Sequence, residues 1–166
     1  MSIHDFMQAY KRVWEGQDSE GFAALFTPDG QYWNTPFQVQ TGPEELARYW
    51  DRIKLQQDIS LTESVLAETP KGGIGHWNVT YQVASEELFQ IWAKSTGTGL
   101  PDRKPGDPLP RMELDGTLVA ELNDQGLATC VRIFWHSNAT MPKSHPATGK
   151  TAPSRGQHSR PAANST

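Results

Sequence analysis

Between Ile53 and Ile59 the apolar residues of the chain change their spacing. Before that point they recur every three or four positions, as in helices that bury one face. After it they alternate, as in half-buried strands. A chain that gathers its helices first and its strands second is α+β, built as a sheet with helices packed on one side.

The helical part divides at its punctuation. Ser2 followed three residues later by Asp5 resembles a capping box, and it opens the stripe Ile3, Phe6, Met7, Tyr10, Val13, Trp14. Gly16 stops that helix. Asp18 or Ser19 caps a second, short one carrying Phe22, Ala23, Leu25 and Phe26. Pro28-Asp29-Gly30 reads as a turn before a short strand, Gln31 to Asn34. A third helix starts at Thr41-Gly42-Pro43 and buries Leu46, Tyr49, Trp50 and Ile53.

The strand part is an alternation over residues 59–67, a Lys71-Gly72-Gly73 turn, and a second alternation over 74–83 that places Trp77, Val79, Tyr81 and Val83 on one face. Residues 111–122 and 127–136 flank the hairpin signal Asn123-Asp124-Gln125-Gly126. On the last strand Val131, Ile133 and Trp135 share one face, and Cys130, Arg132, Phe134 and His136 share the other. Residues 85–110 interrupt the pattern. Leu88, Phe89, Ile91 and Trp92 fit either a short helix capped by Ser85-Glu86-Glu87 or an added strand, and a Gly- and Pro-rich loop follows.

Composition removes several functions. The single cysteine rules out a disulfide framework and a thiolate metal site, and the five histidines show no metal-ligand spacing, so no metal is expected. No apolar run approaches the roughly 18–20 residues of a membrane span, and the first segment does not read as a signal peptide, so a cytoplasmic protein is expected. All 19 acidic residues precede Met141, whereas four of the 15 basic ones follow it. An acidic body argues against nucleic-acid binding. The sequence divides into a domain over residues 1–140 and a basic Pro-, Ser- and Thr-rich tail over 141–166, expected to be disordered because it has almost nothing to bury.

The stretch Tyr10 to Pro36 (YKRVWEGQDSEGFAALFTPDGQYWNTP) resembles the opening of the nuclear transport factor 2-like superfamily, which includes SnoaL-like polyketide cyclases, ketosteroid isomerases, scytalone dehydratase and limonene epoxide hydrolase. Gly42, Leu46, Tyr49-Trp50, Asp115-Gly116, Asp124-Gln125-Gly126, Arg132 and Trp135-His136 continue the likeness, which covers roughly residues 3–137. It implies a cone: a curved antiparallel sheet wrapped around N-terminal helices, enclosing a mostly apolar pocket. Such a fold carries many unrelated activities.

Within that resemblance, Tyr10 lies where isomerases place an oxyanion-stabilising tyrosine, with a core tyrosine as the plain alternative. Asn34 lies where they carry the carboxylate base, and an amide cannot abstract a carbon-bound proton. Ile133 stands where epoxide hydrolases place an acid, and Leu118 stands near the isomerases' second acid. His76 and His136 remain as acid–base candidates, although each alternates with an inward tryptophan and so faces the other way. Arg132 is expected in a cross-strand ion pair with Glu113, Asp115 or Glu121. Trp14, Tyr32, Trp50, Trp77, Trp92, Ile133 and Trp135 are expected to line a site for a small hydrophobic or aromatic molecule, unless the rings simply fill the cone. The expected protein is cofactor-free and dimerises with a second copy through the outer sheet face. It is either an isomerase, cyclase or dehydratase, or a non-catalytic binding or assembly module.

Overall fold

The first helix, α1 (Ile3–Glu15), opens on the anticipated capping box: Ser2 Oγ accepts from the Asp5 backbone N–H, and Asp5 Oδ2 accepts from that of Ser2. The computed structural model describes residues 2–95 and 102–142. Ile3, Phe6, Met7, Tyr10 and Trp14 form the buried face of α1. In α2 (Ser19–Ala23), Asp18 caps the helix by accepting from the Gly21 N–H at 2.8 Å. Then come β1 (Phe26–Thr35), β2 (Gln38–Thr41), α3 (Gly42–Trp50), a 3-10 turn (Asp51–Leu55), β3 (Gln56–Thr69), β4 (Gly72–Val83), α4 (Glu86–Ser95), β5 (Arg111–Leu122) and β6 (Ala128–Thr140).

The six strands form one curved, unclosed sheet in the order β2-β1-β6-β5-β4-β3. Every adjacent pair is antiparallel except β1 with β6, which run parallel. The helices pack on the inner face. That face carries Leu61, Trp77, Val79, Tyr81, Met112, Leu114, Leu118, Val131 and Ile133, all buried with α1 in one core. The last two strands alternate as the sequence indicates, and residues 86–95 take the helical alternative.

Two local expectations change. Pro28-Asp29-Gly30 does not reverse the chain. It lies inside β1, where the register against β6 jumps from Phe26↔Ala128 to Gln31↔Cys130. Turn-forming residues here make a bulge, because parallel pairing resumes on both sides of them. Gly30 permits it: a Cβ there would sit 2.8 Å from Phe26 Cβ and 2.9 Å from the Ala128 carbonyl oxygen. Arg132 takes a different partner from the ion pair expected. It faces Trp33, its register neighbour on β1, with the guanidinium 4.9 Å from the ring centroid, while Asp115 is taken by His76.

Of the tail, residues 143–166 lie outside the described residues. Among the described residues no helix is long and apolar enough to cross a membrane.

Candidate functional site

The aromatic side chains of the cone pack solidly at one end and part at the other. At the closed end Phe22 stacks on Trp50 with centroids 3.7 Å apart, and Tyr10 contacts Trp14, Trp50 and Trp77 at 5.6, 5.4 and 6.4 Å. Toward the mouth the rings leave a cavity of about 90 Å³, well above the roughly 10–15 Å³ that one water requires.

Each wall comes from a different element. Trp14 enters from α1, Tyr32 and Asn34 from β1, and Tyr49 and Trp50 from α3. Arg52 and Ile53 come from the 3-10 turn, and Leu88, Ile91 and Trp92 from α4. The sheet supplies Trp77, Leu114 and Trp135. Trp77 and Trp135 flank Gly116 in register. A Cβ at Gly116 would collide with the six-membered ring of Trp77, so this glycine is what lets the indole lie flat against β5.

Hydrogen bonds fix two of the indoles. Trp14 Nε1 donates to buried Gln56 Oε1 at 2.8 Å, and Trp135 Nε1 donates to the Asn34 carbonyl at 3.1 Å. Gln17 Nε2 donates to the carbonyls of Ile53 and Gln56 and so holds the 3-10 turn against α1. Trp92 meets Trp135 edge-on at 5.5 Å, closing the α4 side against the sheet. Burial pushes the Tyr32 phenol far above the usual range, and the nearby phenol of Tyr49 adds to this. Tyr49 is also raised by burial, against the opposing pull of Arg52. Both phenols therefore stay protonated and can donate but not abstract a proton. Arg52 donates through Nε to the Tyr49 carbonyl at 2.9 Å, and its guanidinium carbon lies 3.9 Å over the Tyr49 ring.

The sequence profile of the SnoaL-like domain matches residues 7–126. The chain belongs to the SnoaL-like domain family. No curated protein matches the sequence. Among solved structures the fold is similar to that of SalBIII, an epoxide hydrolase/cyclase-like enzyme with a role in pyran ring formation in the polyether salinomycin. The TM-score is 0.57 at 14% identity, over 82% of this chain and 95% of that one. It is also similar to TsrD from Streptomyces laurentii (TM-score 0.56, 15% identity, 80% and 87% coverage). A computationally designed 17-OHP binder gives a TM-score of 0.52 at 16% identity, with 84% and 97% coverage. At these identities the likeness is one of fold.

In this SnoaL-like domain seven of the anticipated residues meet at the cavity: Trp14, Tyr32, Asn34, Trp50, Trp77, Trp92 and Trp135. Four do not line it. Tyr10 is 1% exposed and lies behind the cavity wall, its hydroxyl beside the Tyr32 phenol but without a hydrogen-bond partner. Ile133 is buried one register row nearer the closed end, opposite Leu118. His76 and His136 stand on the outer sheet face. The first donates through Nε2 to Asp115 at 3.0 Å, and the second is exposed and pairs in register with Asp115. Strand alternation puts both on the side opposite Trp77 and Trp135, which is why neither imidazole reaches the cone.

Sequence reasoning missed Arg52 as a wall residue. Its signal was faint but present: it follows Tyr49 by three residues, so a helical path continued past Trp50 carries it to the same side.

Proposed function

We propose that the protein holds a small hydrophobic or aromatic molecule in the cavity and stabilises negative charge developing on an oxygen of that molecule. A cofactor-independent isomerase, cyclase or dehydratase needs this step. The observation carrying the reading is the parting of the ring cluster at the mouth, where five of the six tryptophans line open space instead of filling it. Flat faces at several angles suit a flat guest. The donor we assign is Tyr32, held protonated by burial; its hydroxyl donates to Asn34 Oδ1 across a long 3.4 Å, a contact that an oxygen of the guest would replace. SalBIII, of similar fold, is epoxide hydrolase/cyclase-like. A designed member of the same architecture is a 17-OHP binder. Both are consistent with a guest in the cone.

A second reading, a non-catalytic binding protein, is favoured by one observation: among the described residues no carboxylate, imidazole or thiol lines the cavity. The binding common to both readings is tested by titrating 2-naphthamide against tryptophan fluorescence in the wild type and in Ile91→Trp, which fills the cavity from α4. Quenching that saturates in the wild type and disappears in a folded Ile91→Trp is expected. Equal quenching in both proteins contradicts a guest in the cone. Tyr32→Phe then separates the readings. Turnover of a substrate found by screening falls by roughly 100-fold with binding retained if the phenol stabilises an oxyanion. It is unchanged if Tyr32 only packs.

A further inference from the structure

The cavity wall holds one formal charge among its described residues, and it is positive: Arg52. The rest of the wall is aromatic, aliphatic, amide or hydroxyl. Two contacts fix the guanidinium, the Nε donation to the Tyr49 carbonyl and the face of the Tyr49 ring beneath it. Neither uses the two terminal amino groups. Among the described residues no salt bridge or hydrogen bond takes them, while other arginines such as Arg48, Arg103 and Arg111 each meet a carboxylate. A planar cation with its orientation set, its outer fork unspent and no acid beside it in the wall is arranged to receive a pair of oxygens.

Resting on the pocket reading above, we infer that Arg52 is the specificity-determining residue, and that the ligand is a planar aromatic or conjugated acid carrying a carboxylate or ionised enol. One edge of the ring system enters between Trp50, Trp77, Trp92 and Trp135, because about 90 Å³ is less than the roughly 150 Å³ that encloses a single benzene. The rest stands at the open mouth, where the anionic oxygens meet the Arg52 fork. The exterior supplies no general attraction for such a molecule, since the acids of this chain outnumber its bases and all precede Met141. Selectivity for the anion therefore falls to this one side chain. The partly dry, low-dielectric wall strengthens its pull over that of an exposed arginine.

The test compares two probes of the same shape and different charge, 2-naphthoate and its neutral carboxamide 2-naphthamide. Calorimetry on the full chain at pH 7 and low salt gives the affinities. A charge-assisted hydrogen bond to the fork predicts naphthoate binding roughly 10- to 100-fold tighter than the amide. Arg52→Gln should bring the two affinities together while leaving that of the amide within a few-fold, and Arg52→Lys should retain only part of the preference. Equal affinities in the wild type overturn the assignment and leave the pocket reading standing, as does a preference that survives Arg52→Gln. If Arg52→Gln does not fold, the wild-type pair and Arg52→Lys decide the question. If neither compound binds the wild type, the pocket reading fails and the assignment fails with it.

Discussion

At the scale of single residues, the cavity depends on a side chain that is missing. Gly116 lies between Trp77 and Trp135 in the sheet, and its absent Cβ is the space Trp77 occupies. Gly116→Ala is therefore expected to destabilise the fold by about 1–3 kcal/mol through overpacking and to weaken naphthamide binding as the indole tilts. Urea unfolding followed by fluorescence measures the first effect, and an unchanged midpoint would show that the indole has room to spare. The outer face offers a pH test. A hydrogen bond from His76, aided by one from Asn78, holds the Asp115 carboxyl below the usual carboxylate range. Its contribution is thus complete above the unfolded value of about 3.9 and is lost as the pH falls through the lower folded value. Because Asp115 is 57% exposed, the loss should stay under about 1 kcal/mol. Between pH 5 and pH 2 the wild type should lose more stability than Asp115→Asn, and parallel curves would refute the pairing.

At the scale of elements, α4 is a wall of the cavity that lies outside the strand ladder and comes late in the chain, between β4 and β5. It is fastened by side chains: Leu88, Phe89 and Trp92 are buried, and Arg103 ties the returning loop to it. The Arg103 side chain is 2% exposed, forms a two-pronged contact with Glu86 and lies 4.6 Å over the Phe89 ring. Removing it in Arg103→Ala should lower the urea midpoint, since the Glu86 contact is lost and the Phe89 ring uncovered. It should also speed hydrogen exchange in α4 more than in β4 or β5, and raise the dissociation rate of a cavity ligand. Uniform exchange across these elements would show that α4 is not a separately fastened wall. The sequence left 86–95 open between helix and strand because four apolar residues in a short run satisfy either period. The structure settles it as a helix whose apolar side faces the cone. The bulge in β1 and the strand β2 were not legible. Pro28-Asp29-Gly30 has turn chemistry whatever the partner strand does, and Gln38-Val39-Gln40-Thr41 is too short and polar to show alternation.

At the scale of the whole molecule, the switch of period in the chain was enough to place helices on one side of a sheet; the curvature that wraps the sheet around them came from the family resemblance, with which the family match agrees. Depth inside the cone was harder to read. Helical spacing put Tyr10 and Trp14 on the same buried face of α1, but only one of them reaches the cavity, because periodicity gives direction and not distance from the mouth. Arg52 escaped notice for the opposite reason, since a charged residue just past a helix ordinarily reads as solvated. The resulting molecule is a ring cluster that is solid at one end and open at the other, with a cation at its edge. That division is tested most directly by intermolecular nuclear Overhauser effects from bound 2-naphthamide. The account predicts contacts to the indole protons of Trp50, Trp77 and Trp92 and none to Phe134 on the outer sheet face. Contacts to Phe134, with the cavity indoles silent, would contradict it.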